Sequence, residues 1–296
     1  MAGFLYPHDR LPMCNRTKDT PNGGVKNAVS LTILITKLIR RSNYMLSYDQ
    51  KIKLVRATYF FMKNWLVILI AILGIINILP FIAPLLMKLG LTGPAEFFYM
   101  LYVPLCHQMA HRSFFLFGEQ VMYVPQNFPI PISGKLVEDM FTLKAFNGNE
   151  VLGWKVAWSD RMVYMYGMTW VALIFYYRFR TRFQVKRINL ILFIILLLPM
   201  VVDGISHVAS DFQGGLFEGF RYHNKWLADL TYNVLPQSFY VGDSFGTFNS
   251  WMRLISGIGF GVGVVWLIIP VIDESLRHDI EIIGEKLRSI PKRNMM

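Results

Sequence analysis

The sequence predicts an all-α, polytopic membrane protein with four transmembrane helices, a re-entrant or interfacial helix and an N-terminal amphipathic helix. Three observations predict it. Of 296 residues, 54% are hydrophobic and 17% charged, against roughly 45–50% and about 25% in a soluble globular domain. The apolar excess falls in uncharged blocks: Trp65–Met87 (23 residues), Met162–Tyr177 (16), Ile188–Val202 (15) and Leu254–Ile272 (19). About 20 apolar residues cross a bilayer core of roughly 30 Å. Finally, the basic residues gather in a few connecting segments. This pattern excludes a soluble enzyme, a disordered chain and, despite a net charge of +11, a nucleic-acid-binding protein.

Residues 1–64 form a basic tail. Within it, 1–27 is rich in Pro, Gly and Asn and reads as flexible, and 28–41 reads as an amphipathic helix lying on anionic lipid. The membrane domain is 65–272, with spans at about 65–87, 162–177, 188–206 and 252–272, and 273–296 is a second tail. Because a mostly polar segment precedes the first apolar block, that block reads as a signal anchor and not as a cleavable signal peptide.

The positive-inside rule orients these spans. Residues 1–64 hold 11 Lys/Arg and 3 acids, and Arg178–Arg187 holds 5 basic residues and no acid. Residues 273–296 balance 5 against 5, 88–161 balance 6 against 6, and 207–250 hold 2 basic and 4 acidic residues. One arrangement places every basic-rich segment on one side: four spans with both termini cytoplasmic. It leaves 94–117 as a helix on the outer face, because Cys106–Arg112 interrupts its apolar run and a full span would move Arg178–Arg187 outside. The outer loops are then 118–160 and 208–250, whose Trp and Tyr residues suit the membrane interface. Cys14 and Cys106 fall on opposite sides and are not expected to pair.

The ionisable residues of the apolar zone converge on the outer face. His107 and His111 are spaced i, i+4, and Asp203, His207 and Asp211 run i, i+4, i+8, so on helices each set forms one stripe. His107, His111, Asp203 and His207 are candidate ligands for a divalent metal such as zinc, which would activate water with Asp211 as general base. Hydrogen-bonded helix ends are the plainer reading of the same residues. Haem ligation by His107, His111, His207 or His223 is a more remote one. Arg112, Arg161 and Arg253 lie at the same level. They read either as an ion-pair network, with Asp203 the expected partner of Arg253 or Arg161, or as an anion pocket for a lipid phosphate or carboxylate. In the last span Gly257/Gly261 and Gly259/Gly263 form two small-xxx-small pairs for close helix packing.

Three blocks carry a family resemblance: Cys106-His107-Gln108 with Arg112-Ser113-Phe114 and Gly118; Asp203-Gly204 after Leu198-Pro199-Met200; and Asn249-Ser250 leading to Arg253 and Gly257. They resemble the prokaryotic membrane-protein family called domain of unknown function 2085, over about 65–272. The resemblance implies a multi-pass protein of the prokaryotic cytoplasmic (inner) membrane. Many members also carry C-x-R-C-x-G at the middle span. Here Ser159-Asp160-Arg161-Met162 keeps the Arg and lacks both cysteines. If the family holds a metal there, Cys106 and His107 remain, with Asp160, His111 or His207 as substitutes.

Two function classes follow. The first is a structural membrane protein or accessory subunit of a membrane complex, contacting lipid and other subunits. The alternative is a membrane-embedded metal-dependent hydrolase acting on a lipid-like substrate at the outer leaflet.

Overall fold

A computed structural model describes residues 47–183 and 185–290. The expected flexible tail, the amphipathic helix at 28–41, Cys14 and residues 291–296 lie outside the described residues. The fold is predominantly helical. Four long helices are α1 (Tyr48–Lys88), α4 (Asp160–Phe179), α5 (Leu190–Gly214) and α9 (Phe248–Arg288). Among the described residues, α1, α5 and α9 are long and apolar enough to cross a membrane. The 41 residues of α1 and of α9 reach roughly 60 Å each, twice a bilayer core. Both helices therefore run beyond their apolar blocks into segments expected as tails, and the extensions touch where the Tyr59 ring lies against Gly284.

Local chemistry sets the helix ends. Ser47 and Gln50 form a reciprocal capping box at α1, Asn189 accepts from the Leu192 amide at the start of α5, and Thr247 caps α9. Prolines inside the long helices free carbonyls four residues earlier, and in an apolar setting each needs a donor. Pro80 frees the Ile76 carbonyl, which accepts from the Tyr102 hydroxyl at 2.7 Å. Pro270 frees the Trp266 carbonyl, which accepts from the Ile188 amide at 3.2 Å. These two breaks thus become ties to neighbouring segments.

The glycine pairs divide their work. A Cβ at Gly257 or Gly261 would meet Tyr164, Met165, Met168 and Thr169 of α4, whereas Gly259 and Gly263 face Leu196 and Phe193 of α5. α9 is therefore packed between α4 and α5. α1, α4 and α9 share one apolar core, formed by Leu66, Ala172, Leu173, Tyr176, Val265 and Ile269.

The segments expected as an outer-face helix and loops fold into a crown on the helix ends. The helix expected over 94–117 is only α2 (Thr92–Tyr102). Pro104 has no N–H for a further turn and its ring would clash with the Met100 carbonyl in a continued helix, so the chain leaves helix there. It continues as a single 3₁₀ turn (Ala110–Arg112) and strand β1 (Ser113–Leu116). The expected loop 118–160 contains α3 (Leu136–Ala145), β2 (Gly148–Asn149) and β3 (Gly153–Ser159). The strands form an antiparallel sheet in the order β1-β3-β2, an addition to the all-α expectation. The 208–250 segment begins as the end of α5 and continues as α6 (Phe220–His223), α7 (Lys225–Leu230) and α8 (Gln237–Tyr240). Two cores anchor the crown. Phe115, Tyr123, Phe128, Leu143 and Leu152 fill its interior, and Trp158, stacked on Tyr166 at 5.0 Å and edge-on to Tyr102 at 5.2 Å, joins it to the bundle.

Candidate functional site

Where the crown meets the bundle, five separate chain segments deliver charge to one buried place. The first turn of α4 supplies Asp160 and Arg161, α5 supplies Asp203, His207 and Asp211, and α9 supplies Arg253. The 3₁₀ turn supplies His111 and Arg112, and the 215–247 region supplies Arg221 from α6 and Asp243 from the stretch before α9. Asn249 fixes the last two, donating to the carbonyls of Arg221 at 2.7 Å and Gly242 at 2.9 Å.

The pairing is reciprocal. Arg253 reaches Asp160 at 2.6 Å and Asp243 at 3.0 Å, and also donates to the Asp243 carbonyl. Arg112 reaches Asp243 at 3.0 Å and Asp211 at 3.5 Å. Asp203 accepts from Arg161 at 2.5 Å and Arg221 at 2.6 Å. The network thus closes with four guanidinium groups against four carboxylates. Desolvation works against the Asp243 carboxylate, but Arg112 and Arg253 overcome it and hold the group well below the usual carboxylate range. Buried charges persist only when paired in this way.

Two imidazoles fill the gaps. His207 Nε2 lies 3.8 Å from Asp203 and 3.9 Å from Asp243. His111, its side chain fully buried, lies 3.9 Å from Asp243 and edge-on to Phe217. Burial pushes His111 down to about 3, with Arg112 and Arg253 pushing the same way and Asp243 opposing them. The unfolded chain, with an ordinary value near 6.5, takes up this proton first. Stability should therefore fall as pH drops below about 6.5, by about 1.4 kcal/mol per unit, and level off near the folded value. Between about pH 7 and pH 5 Asp243 is ionised in both states and adds no slope; nearer about pH 4 the unfolded carboxylate takes up its proton first and deepens the loss. Denaturation midpoints at about pH 7 and pH 5 check this: His111→Gln should reduce the difference seen in the native sequence.

A cavity of about 310 Å³ adjoins the network, lined by Cys106, His107, Arg112, Ser159, Arg161 and His207 among others. Gly204 and Val208 belong both to its wall and to an apolar groove on the outer surface of α5. Above it Gln108 adopts a left-handed φ of 53°. That turn lets the Cys106 sulfur accept the amides of Gln108 and Ser159, each at 3.3 Å. The Ser159 hydroxyl is 3.3 Å from the same sulfur.

Several expected residues come together: Arg112, Arg161, Arg253, Asp203, His207 and Asp211 share the network, and α5 does present Asp203, His207 and Asp211 as one stripe. Asp203 does pair with Arg161, one of its two expected partners, and also with Arg221, while Arg253 is held by Asp160 and Asp243. His107 and His111 are not on one helix, because helix ends at Tyr102; His107 is exposed at the cavity edge while His111 is buried. His223 is half-exposed on α6 beside Glu218. Among the described residues no group of three or more His, Cys, Asp or Glu side chains could hold a metal ion. The reason is chemical: guanidinium groups occupy the carboxylate oxygens that zinc would need at about 2 Å.

Sequence reasoning missed Arg221 and Asp243, which lie in irregular segments with no periodicity to mark them. It also missed Lys155, fully buried in β3, whose ammonium donates to the carbonyls of Gln108 at 2.9 Å and Lys144 at 2.8 Å. Burial lowers that group to about 7. Its role is a staple between β3, α3 and the turn at Gln108. No family model, curated protein or solved structure matches the chain.

Proposed function

We propose that the protein is a structural integral membrane protein, serving as an accessory subunit of a prokaryotic inner-membrane complex, and that its ion network clamps the crown onto the helix ends. The observation that carries this reading is charge closure: four arginines are neutralised by four aspartates. A site built to turn over a substrate keeps an open coordination position or an activated nucleophile, and a closed network offers neither.

In this reading α4, 20 residues long and so about 30 Å, is the fourth span. The crown lies outside, and Arg178–Arg187, at the opposite end of α4 and α5, lies in the cytoplasm with both termini. The blocks shared with the resembled family support the site map, since Cys106, Arg112, Asp203, Gly204 and Arg253 all reach the cavity or its network. Exposed apolar residues of the crown, such as Tyr232 (89% exposed) and Val234 (80%), suit contact with lipid or another subunit.

Native mass spectrometry of the protein extracted from its own membrane tests the reading. The expected result is a particle heavier than one chain, with no stoichiometric divalent metal. A metal ion lost in His107→Ala would restore the hydrolase, and a single chain alone would remove the accessory role.

A further inference from the structure

A second charged place lies at the end of the bundle remote from the crown, in a cleft of about 840 Å³ between the α4–α5 connection and α9. Its wall contains five cations, Arg180, Arg182, Lys186, Arg187 and Arg277, and two carboxylates, Asp273 and Glu274. Asp273 is buried. It binds Arg180, accepts from Arg277 at 2.8 Å and lies 3.2 Å from the Tyr176 hydroxyl. Arg180 and Arg277 are thereby engaged. Among the described residues, Arg182, Lys186 and Arg187 have no carboxylate within ion-pair distance.

The cleft is preformed and sits at a defined depth. The Ile188 amide, bound to the Trp266 carbonyl freed by Pro270, fixes the connection against α9. The uncharged runs Met162–Tyr177, Ile188–Val202 and Leu254–Ile272 all stop at its edge, which is where a bilayer core gives way to headgroups. Phe183, Val185 and Val271 line it alongside the cations, with Phe183 59% exposed. A soluble anion has no use for that apolar wall; a phosphate attached to acyl chains does.

We propose that this cleft binds the phosphate of an anionic phospholipid, with Arg182, Lys186 and Arg187 as the anion contacts and Phe183 and Val271 against the chains. Clustered basic residues beside a span attract anionic lipid through the same electrostatics, and guanidinium groups match phosphate geometry. The site requires only membrane insertion and is independent of the crown's role.

The test uses the full chain in phosphatidylcholine-based mixed micelles, titrated with phosphatidylglycerol and followed by native mass spectrometry and unfolding midpoint. The expected result is saturable binding and a raised midpoint with phosphatidylglycerol, and neither with added phosphatidylcholine or inorganic phosphate. The triple variant Arg182→Gln/Lys186→Gln/Arg187→Gln alters exposed side chains and spares the Asp273 contacts. It should bind roughly a hundredfold more weakly, whereas Lys135→Gln/Lys225→Gln, in the crown, should bind as the native chain does. Three results would overturn the proposal: equal response to phosphatidylcholine, equal response to inorganic phosphate, or unchanged binding by the triple variant.

Discussion

Asp243→Asn should lower the stability of the protein by about 3–5 kcal/mol, the range found when one partner of a buried ion pair is removed. Asp243 is 3% exposed and meets Arg112 and Arg253 on separate oxygens, both at 3.0 Å. An asparagine fits the same space but offers one acceptor and turns an amide N–H₂ toward the other guanidinium. Of the carboxylates, Arg112 keeps only Asp211 and Arg253 only Asp160, so four guanidinium groups face three carboxylates and one buried positive charge is uncompensated. The unfolding midpoint should fall on the order of 10 °C. Asp229→Asn, an exposed change in the same region, should stay within about 0.5 kcal/mol. A native-like midpoint for Asp243→Asn would mean that the crown is held by its apolar cores alone.

Gly261→Ala should be a strongly damaging single-methyl substitution in α9. Its Cβ would stand 2.6 Å from the Thr169 amide nitrogen and 2.7 Å from the Met168 carbonyl carbon, and backbone atoms inside a helix cannot turn aside. α9 and α4 must separate, at a cost of about 1–3 kcal/mol or more. Gly263→Ala is the matched comparison. It meets the Phe193 ring at 3.2 Å and the Leu196 Cβ at 3.5 Å, side chains that shift by a few tenths of an ångström. The better helix propensity of alanine, about 1 kcal/mol, then offsets the crowding, and Gly263→Ala should be near neutral. Equal losses at the two positions would show that the glycines serve helix flexibility and not the α4 contact.

The long helices were legible because their signal is local. An uncharged run of the right length needs only the chemistry of its own residues: the expected runs 65–87, 162–177 and 252–272 fall within helices α1, α4 and α9, and 188–206 starts two residues before α5. The small-residue pairs of α9 were legible for the same reason. β3 was within reach as well: Trp154, Val156 and Trp158 alternate with Lys155, Ala157 and Ser159, a two-residue period masked by the Pro-rich surroundings that suggested a loop. Extending a helix over 94–117 failed at Pro104, whose missing N–H outweighed the apolar composition on either side.

The ion network was only half visible. Its helical members, Asp203, Arg161 and Arg253, stood out because charges in apolar segments are expensive. Arg221 and Asp243 did not, because the network joins residues far apart in sequence. Arg112 and Asp243 are separated by 131 positions, and Arg221 and Asp243 sit in irregular segments whose folding no local pattern announces. The His107/His111 spacing misled for a related reason: four residues apart places two imidazoles together only if helix connects them.

Charge closure is most directly examined by a double-mutant cycle on Asp243 and Arg112, with unfolding free energies measured for Asp243→Asn, Arg112→Gln and the two combined. If parity of charge holds the crown, removing Arg112 from the Asp243→Asn background restores the balance, and the double variant is more stable than Asp243→Asn alone. If instead the two losses simply add, the cluster is a set of independent contacts, and a closed, mutually neutralising network does not hold the crown.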